Sequence, residues 1–249
     1  MKKLKGISTN HYSITFGVTI KISESTESQS KICCTWQDET VCINCQEKTK
    51  LDCRWERKLL LRFMYFIMPA FIFGIGGIIF GALFTGMWWR LGAIAAYFAI
   101  FFIVETRILC SHCPYYSEEG KILHCLANHG FFKFAKYHPE PMNLFERILL
   151  VIGFLIFIII FPLAQLYDLL FVITNLSSFD MYVLITISVL FGLSTISILT
   201  GFILLFTKIC PYCVNFSCPW NKVPKEVVDA YLEKNIVMKE AWEKQKKKK

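Results

Sequence analysis

No cysteine and no histidine falls within the four long apolar runs of this 249-residue chain, although it holds 11 cysteines and five histidines. Free cysteine packs as a small hydrophobe and is welcome in a helix core, so its exclusion from these runs reserves the thiols for chemistry. Acidic side chains are also scarce, 19 against 27 Lys and Arg, which leaves a net charge of +8. No nucleic-acid-binding motif accompanies that charge, so nucleic acid is not an expected partner and the basic residues read as topological signals. A cleavable leader is not expected either. Met1-Lys2-Lys3-Leu4-Lys5 is basic, but the next stretch of chain is polar and includes Ser23-Glu24-Ser25-Thr26-Glu27.

What is abundant is apolar surface. Hydrophobic residues make up 55% of the chain, and 23 phenylalanines lie beside Ile and Leu in uninterrupted runs. That composition belongs to a chain that uses lipid as solvent. Four runs approach the roughly 20 residues that a 30 Å hydrocarbon core demands. The first, 59–84, carries only Arg62 near its start, and its Gly77 and Gly81 form a GxxxG pair suited to close helix approach. The second, 91–104, reaches spanning length if residues 87–90 join it, with Trp88 and Trp89 at the interface and Arg90 snorkelling outward. The third and fourth are 148–171 and 183–206. Pro69 and Pro162 predict kinks in the first and third.

The expected fold is therefore an all-α membrane protein of four transmembrane helices arranged as two hairpins, with cysteine-rich cytoplasmic segments. Residues 1–58 form a cysteine-containing N-terminal segment, 59–104 the first hairpin, 105–147 a Cys/His-rich loop, 148–206 the second hairpin. Residues 207–249 form a basic, cysteine-rich tail with a short amphipathic helix that starts at Pro224. Ten Lys and Arg precede Leu59, five lie between Arg107 and Arg147, and ten follow Phe206, with only Arg90 on the opposite side. The positive-inside rule then predicts a multi-pass protein of the cell membrane with both termini in the cytoplasm. A candidate internal duplication accompanies this layout. Glu56-Arg57-Lys58-Leu59-Leu60 and Glu146-Arg147-Ile148-Leu149-Leu150 open the two hairpins; Thr106-Arg107-Ile108-Leu109-Cys110-Ser111-His112-Cys113 and Thr207-Lys208-Ile209-Cys210-Pro211-Tyr212-Cys213 close them.

Three cysteine groups share one form, a CxxC followed by one more cysteine: Cys42, Cys45 and Cys53; Cys110, Cys113 and Cys125; Cys210, Cys213 and Cys218. A CxxC turn offers two sulfurs to one ion, and a second pair from elsewhere closes a tetrahedral site. Cys110-Cys113 and Cys210-Cys213 follow corresponding helix ends, so their convergence on one thiolate centre is the most economical geometry. Cys125, Cys218, His112 and His124 are substitute or second-centre ligands, and Cys42, Cys45 and Cys53 could complete a further centre. In a reducing cytosol such thiols are metal ligands or redox groups before they are structural disulfides. Zinc and iron-sulfur clusters both accept four thiolates, and the spacing leaves the choice open.

Some short resemblances bear on that choice. Cys218-Pro219 locally resembles the Cys-Pro that ends bacterial ferredoxin runs, which implies an iron-sulfur role. Cys210-Pro211-Tyr212-Cys213 resembles the active-site tetrapeptide of glutaredoxins, and Cys110-Ser111-His112-Cys113 is similar to that of disulfide isomerases; both imply dithiol chemistry. Those enzymes place the motif at a helix N-terminus, which lowers the first thiol's pKa, whereas here each motif follows a helix C-terminus and no βαβ pattern is present. Four-helix membrane oxidoreductases that pass electrons between thiols and quinone are similar in helix number.

The expected function is an integral membrane protein with one or two cysteine-ligated metal centres, zinc or iron-sulfur, in a structural or electron-transfer role. The alternatives are a membrane dithiol/disulfide oxidoreductase and a metal-responsive scaffold for a soluble partner. Expected partners are the lipid bilayer, a soluble redox or regulatory protein, and anionic lipid at Lys246-Lys247-Lys248-Lys249. Glu105 is expected to be solvated or paired with Arg107, and Gln165 and Asp168 to lie near the outer surface.

Overall fold

A computed structural model describes residues 34–36 and 45–247. Among the described residues the regular structure is helical, and the β pairing is one isolated bridge between Ile122 and Phe132. Four long helices dominate: α1 (Arg57–Thr85), α2 (Trp89–Ile108), α3 (Leu144–Thr174) and α4 (Met181–Leu204), the last continuing through a π turn, Leu205–Ile209. Each is long and apolar enough to cross a membrane.

Local chemistry sets the helix ends. Asn143 opens α3 with a capping box, accepting a hydrogen bond from the Glu146 amide while the Glu146 carboxylate accepts one from the Asn143 amide, both at 2.9 Å. Gly86 ends α1 at φ 70°, a left-handed conformation that glycine adopts without a Cβ clash. The tail forms two helices rather than one, α5 (Lys225–Glu233) and α6 (Ile236–Lys246), broken at the buried Asn235.

The two helix pairs are not packed alike. α1 lies chiefly against α4 and α3, α3 also packs on α4, and α2 leans on α3 while scarcely touching α1. A glycine stripe on α1 makes the close approach to α3. A Cβ at Gly74 would lie 2.8 Å from the Phe161 ring, one at Gly77 2.3 Å from Gln165 Nε2, and one at Gly81 2.2 Å from Asp168 Oδ2. The expected Gly77–Gly81 contact is thus made, with α3 as its partner. On α4, Gly201 serves α1 in the same way, 2.9 Å from the Phe66 carbonyl oxygen.

The stripe also corrects three expectations. Arg90 does not snorkel outward; it is 6% exposed and its Nη2 lies 2.5 Å from Asp168 Oδ1. Further bonds run from Arg90 to the Ala164 carbonyl and to Thr85 Oγ1, each 3.1 Å. Asp168 and Gln165 are buried within the bundle instead of near its surface, and Gln165 Nε2 donates to the carbonyls of Phe73 and Gly74 at 2.9 Å. Lipid offers these groups no hydrogen bonds, so they turn to the space the glycines leave, where Arg90 meets Asp168 and Gln165 Nε2 meets backbone carbonyls, while Gln165 Oε1 and Asp168 Oδ2 stay without a partner among the described residues.

At the end of the bundle where the N-terminal segment, central loop and tail meet, a second core forms. Leu51, Tyr115, Tyr116, Leu123, Val214 and Tyr231 are buried in it. Apart from α5 and α6, its described parts are turns and short 3₁₀ segments.

Candidate cysteine site

Both central CxxC motifs sit on the same local structure. Each long helix runs into a 3₁₀ turn, Cys110–His112 after α2 and Cys210–Tyr212 after the π turn of α4. The last cysteine of each motif then leaves in extended backbone, Cys113 at φ −85°, ψ 137° and Cys213 at φ −75°, ψ 127°.

The cysteines fall into overlapping neighbourhoods. Cys110 and Cys125 lie beside each other. Asn128 brackets that pair, its amide N–H reaching Cys125 Sγ at 3.0 Å and its Nδ2 reaching Cys110 Sγ at 3.2 Å. Cys53, Cys113 and Cys213, one from each chain segment, all lie within electrostatic range of Tyr115. Burial pushes the Tyr115 phenol up, and Cys113, Cys213, Asp52 and Cys53 push the same way. The Tyr115 hydroxyl donates to the Asp52 carbonyl, which fixes the N-terminal segment to the loop. Cys213 also acts on Cys210 and Cys218, which lie on the wall of a cavity among the helices.

Burial dominates the thiol acidities. It pushes Cys213 up to about 12, and Cys218 higher still with Cys213 as the next contributor. Both are neutral S–H groups at physiological pH. Cys45 differs. Slight burial raises it, but the Lys234 ammonium, with Nζ 3.1 Å from Sγ, outweighs that and holds the thiol below its ordinary value. No disulfide is formed among Cys45, Cys53, Cys110, Cys113, Cys125, Cys210, Cys213 and Cys218.

His124, a candidate ligand, has Nδ1 2.5 Å from Glu118 Oε2 and its ring 5.3 Å from that of His129, which stacks on Trp55 at 4.6 Å. His112 is buried, with Nδ1 2.6 Å from the Glu140 carbonyl oxygen. Cys42 lies outside the described residues. Among the described residues, no three His, Cys, Asp or Glu side chains are gathered as they would be around a metal ion. Glu105 corrects another expectation: it is buried, and its side-chain partner is Asn128 rather than Arg107. Nothing in the sequence marked Asn128 or Tyr115, because their roles come from contacts between segments.

The arrangement defines an all-helical, membrane-type protein with a cysteine-bearing cap at one end of a four-helix bundle. Comparison with family models, with curated proteins and with solved structures finds no match to this chain.

Proposed function

We propose that this is an integral membrane protein whose cysteine-bearing cap is held by a thiolate-ligated metal centre, zinc or iron-sulfur, that pins the N-terminal segment, the central loop and the tail to one another. The carrying observation is that Cys53, Cys113 and Cys213, from three separate segments, all lie within electrostatic range of one side chain, Tyr115. Small loop-rich modules have too little core and too few regular hydrogen bonds to hold themselves, and structural metals commonly supply the missing stability. The donor chemistry fits: several soft sulfurs, buried or half-buried, lacking disulfides, and carrying protons that a metal displaces on binding. Cys113, Cys213 and Cys53 are assigned to the centre. Cys45 and Cys42 are further candidates from the N-terminal segment, and Cys110 with Cys125 forms the nucleus of a second one. The Lys/Arg count assigns the cap and both termini to the cytoplasm, where thiols stay reduced. Anionic lipid at the terminal lysines and a soluble redox or regulatory partner would meet the protein on that face. The matching turns at Cys110–His112 and Cys210–Tyr212 support an internal duplication of the hairpin ends.

Anaerobic purification followed by metal analysis and absorption spectroscopy tests the reading. Colourless protein with stoichiometric zinc supports a structural site, and visible charge-transfer bands support iron-sulfur. Replacing Cys113 and Cys213 together with serine is expected to remove the metal and expose the cap to protease. Metal-free wild-type protein refutes the proposal.

A second reading has its own observation, the bracketing of the Cys110 and Cys125 thiols by one residue, Asn128. Two thiols so placed can lose two electrons and two protons to form a disulfide, as a dithiol oxidoreductase requires. Mild oxidation of the native protein with diamide, then alkylation and peptide mapping, would show a Cys110–Cys125 link. If diamide leaves both thiols alkylatable, this reading fails.

A further inference from the structure

α1 and α2 scarcely touch, and toward the cap they diverge around a cavity of about 410 Å³ backed by α3 and α4. That volume lies within the range of small-molecule sites, roughly 300–1,000 Å³. Met64 and Met68 line it and are each 39% exposed, so the cavity opens sideways through the α1–α2 cleft, toward lipid. Its wall is more aromatic than the helices as a whole: eight of its 18 lining residues are phenylalanine, among them Phe71, Phe157 and Phe202. The polar part of the wall is confined to its cap end, where Glu105, Cys210 and Cys218 converge. No Lys or Arg lines it.

We propose that this cavity binds an uncharged, planar, lipid-soluble ring compound of the quinone class, whose ring enters through the α1–α2 cleft and whose carbonyl approaches the Glu105, Cys210 and Cys218 end. Each feature narrows the choice. Phenylalanine faces and edges favour a flat ring by stacked and edge-to-face contacts, which a saturated acyl chain does not require. A wall with a buried carboxyl and no lining Lys or Arg, Lys222 Nζ lying over the Phe206 ring 5.4 Å from its centroid, disfavours phosphate and carboxylate head groups. The thiols offer S–H donors to a carbonyl oxygen. The cap end of this cavity adjoins Cys213 of the proposed metal centre, whereas its Glu105 and Leu205 walls belong to the long helices and carry the test below without that centre.

The test is photolabelling of the full-length protein in nanodiscs with an azidoquinone bearing a short prenyl tail. Saturable labelling is expected, mapped by mass spectrometry to the cavity segments of α1, α2 and α4 and competed by unlabelled short-chain quinone but not by oleate. Leu205→Trp, which fills the cavity, should abolish it. Ile203→Trp, on the 61% exposed lipid-facing side of α4, should leave it intact. Glu105→Ala is expected to weaken binding by roughly tenfold, the worth of one hydrogen bond to a buried group, while Glu105→Gln retains it. Should Leu205→Trp fail to fold, the Glu105 pair decides. Labelling that does not saturate, that oleate competes equally well, or that neither Leu205→Trp nor Glu105→Ala reduces overturns the proposal.

Discussion

Replacing Asp168 by alanine leaves the Arg90 guanidinium buried in the bundle without its carboxylate. In the native protein the two groups lie 2.5 Å apart with side chains 6% and 1% exposed. Removing one partner of a buried ion pair costs about 3–5 kcal/mol, because the remaining charge has lost its compensation. The lower end applies here. Arg90 keeps its bonds to the Ala164 and Met87 carbonyls and to Thr85 Oγ1. We therefore expect a loss of about 3 kcal/mol for Asp168→Ala and a similar loss for Arg90→Met, which strands the carboxylate. The double variant should lie within about 2 kcal/mol of the native protein, since neither charge remains. Denaturant unfolding in mixed micelles, followed through a tertiary signal, measures all four corners of the cycle. A coupling below about 1 kcal/mol would show that Arg90 reaches water and that the ion pair does not join α2 to α3.

The glycine stripe makes a sharper comparison in the same assay. Gly77→Ala and Gly81→Ala should each destabilise by about 1–3 kcal/mol through overpacking against Gln165 and Asp168. Gly76→Ala, where a Cβ meets nothing within 4 Å, should be neutral or stabilise by about 0.5–1 kcal/mol; equal effects at all three positions would refute the packing. Thiol acidity gives a further prediction. Cys45 should alkylate with iodoacetamide first as pH rises, and Lys234→Met should slow it; Cys213 should stay unreactive in the folded protein up to high pH. The sign for stability comes from the same shift. The folded Cys213 holds its proton to about 12 against an ordinary 9.0, so its contribution is present below pH 9.0 and lost as pH rises through about 12. Unfolding midpoints between pH 8 and 11 should therefore fall for the native protein faster than for Cys213→Ala, provided both are prepared without metal.

The four spans were legible because hydropathy is a local property: twenty consecutive apolar residues satisfy a bilayer whatever their neighbours do. The helix ends were legible for a similar reason, although α1 and α3 run several residues beyond the expected spans. The twin turns after α2 and α4 were also visible, as the repeated cysteine motif that closes each hairpin. Partners were not legible. Arg90 meets Asp168 across 78 residues, and Cys110 meets Cys125 and Asn128 because a loop folds back, not because a CxxC pair points at another CxxC.

The sequence by itself therefore determined the number of spans and their approximate limits, since each depends on composition over a short window. Tertiary structure decided which cysteines become neighbours, that Arg90 and Asp168 pair inside the bundle, and that α1 and α2 stand apart around an aromatic cavity. Those outcomes depend on which helix faces the glycine stripe, and lipid solvates every apolar face about equally, so hydropathy alone carries no information about that choice.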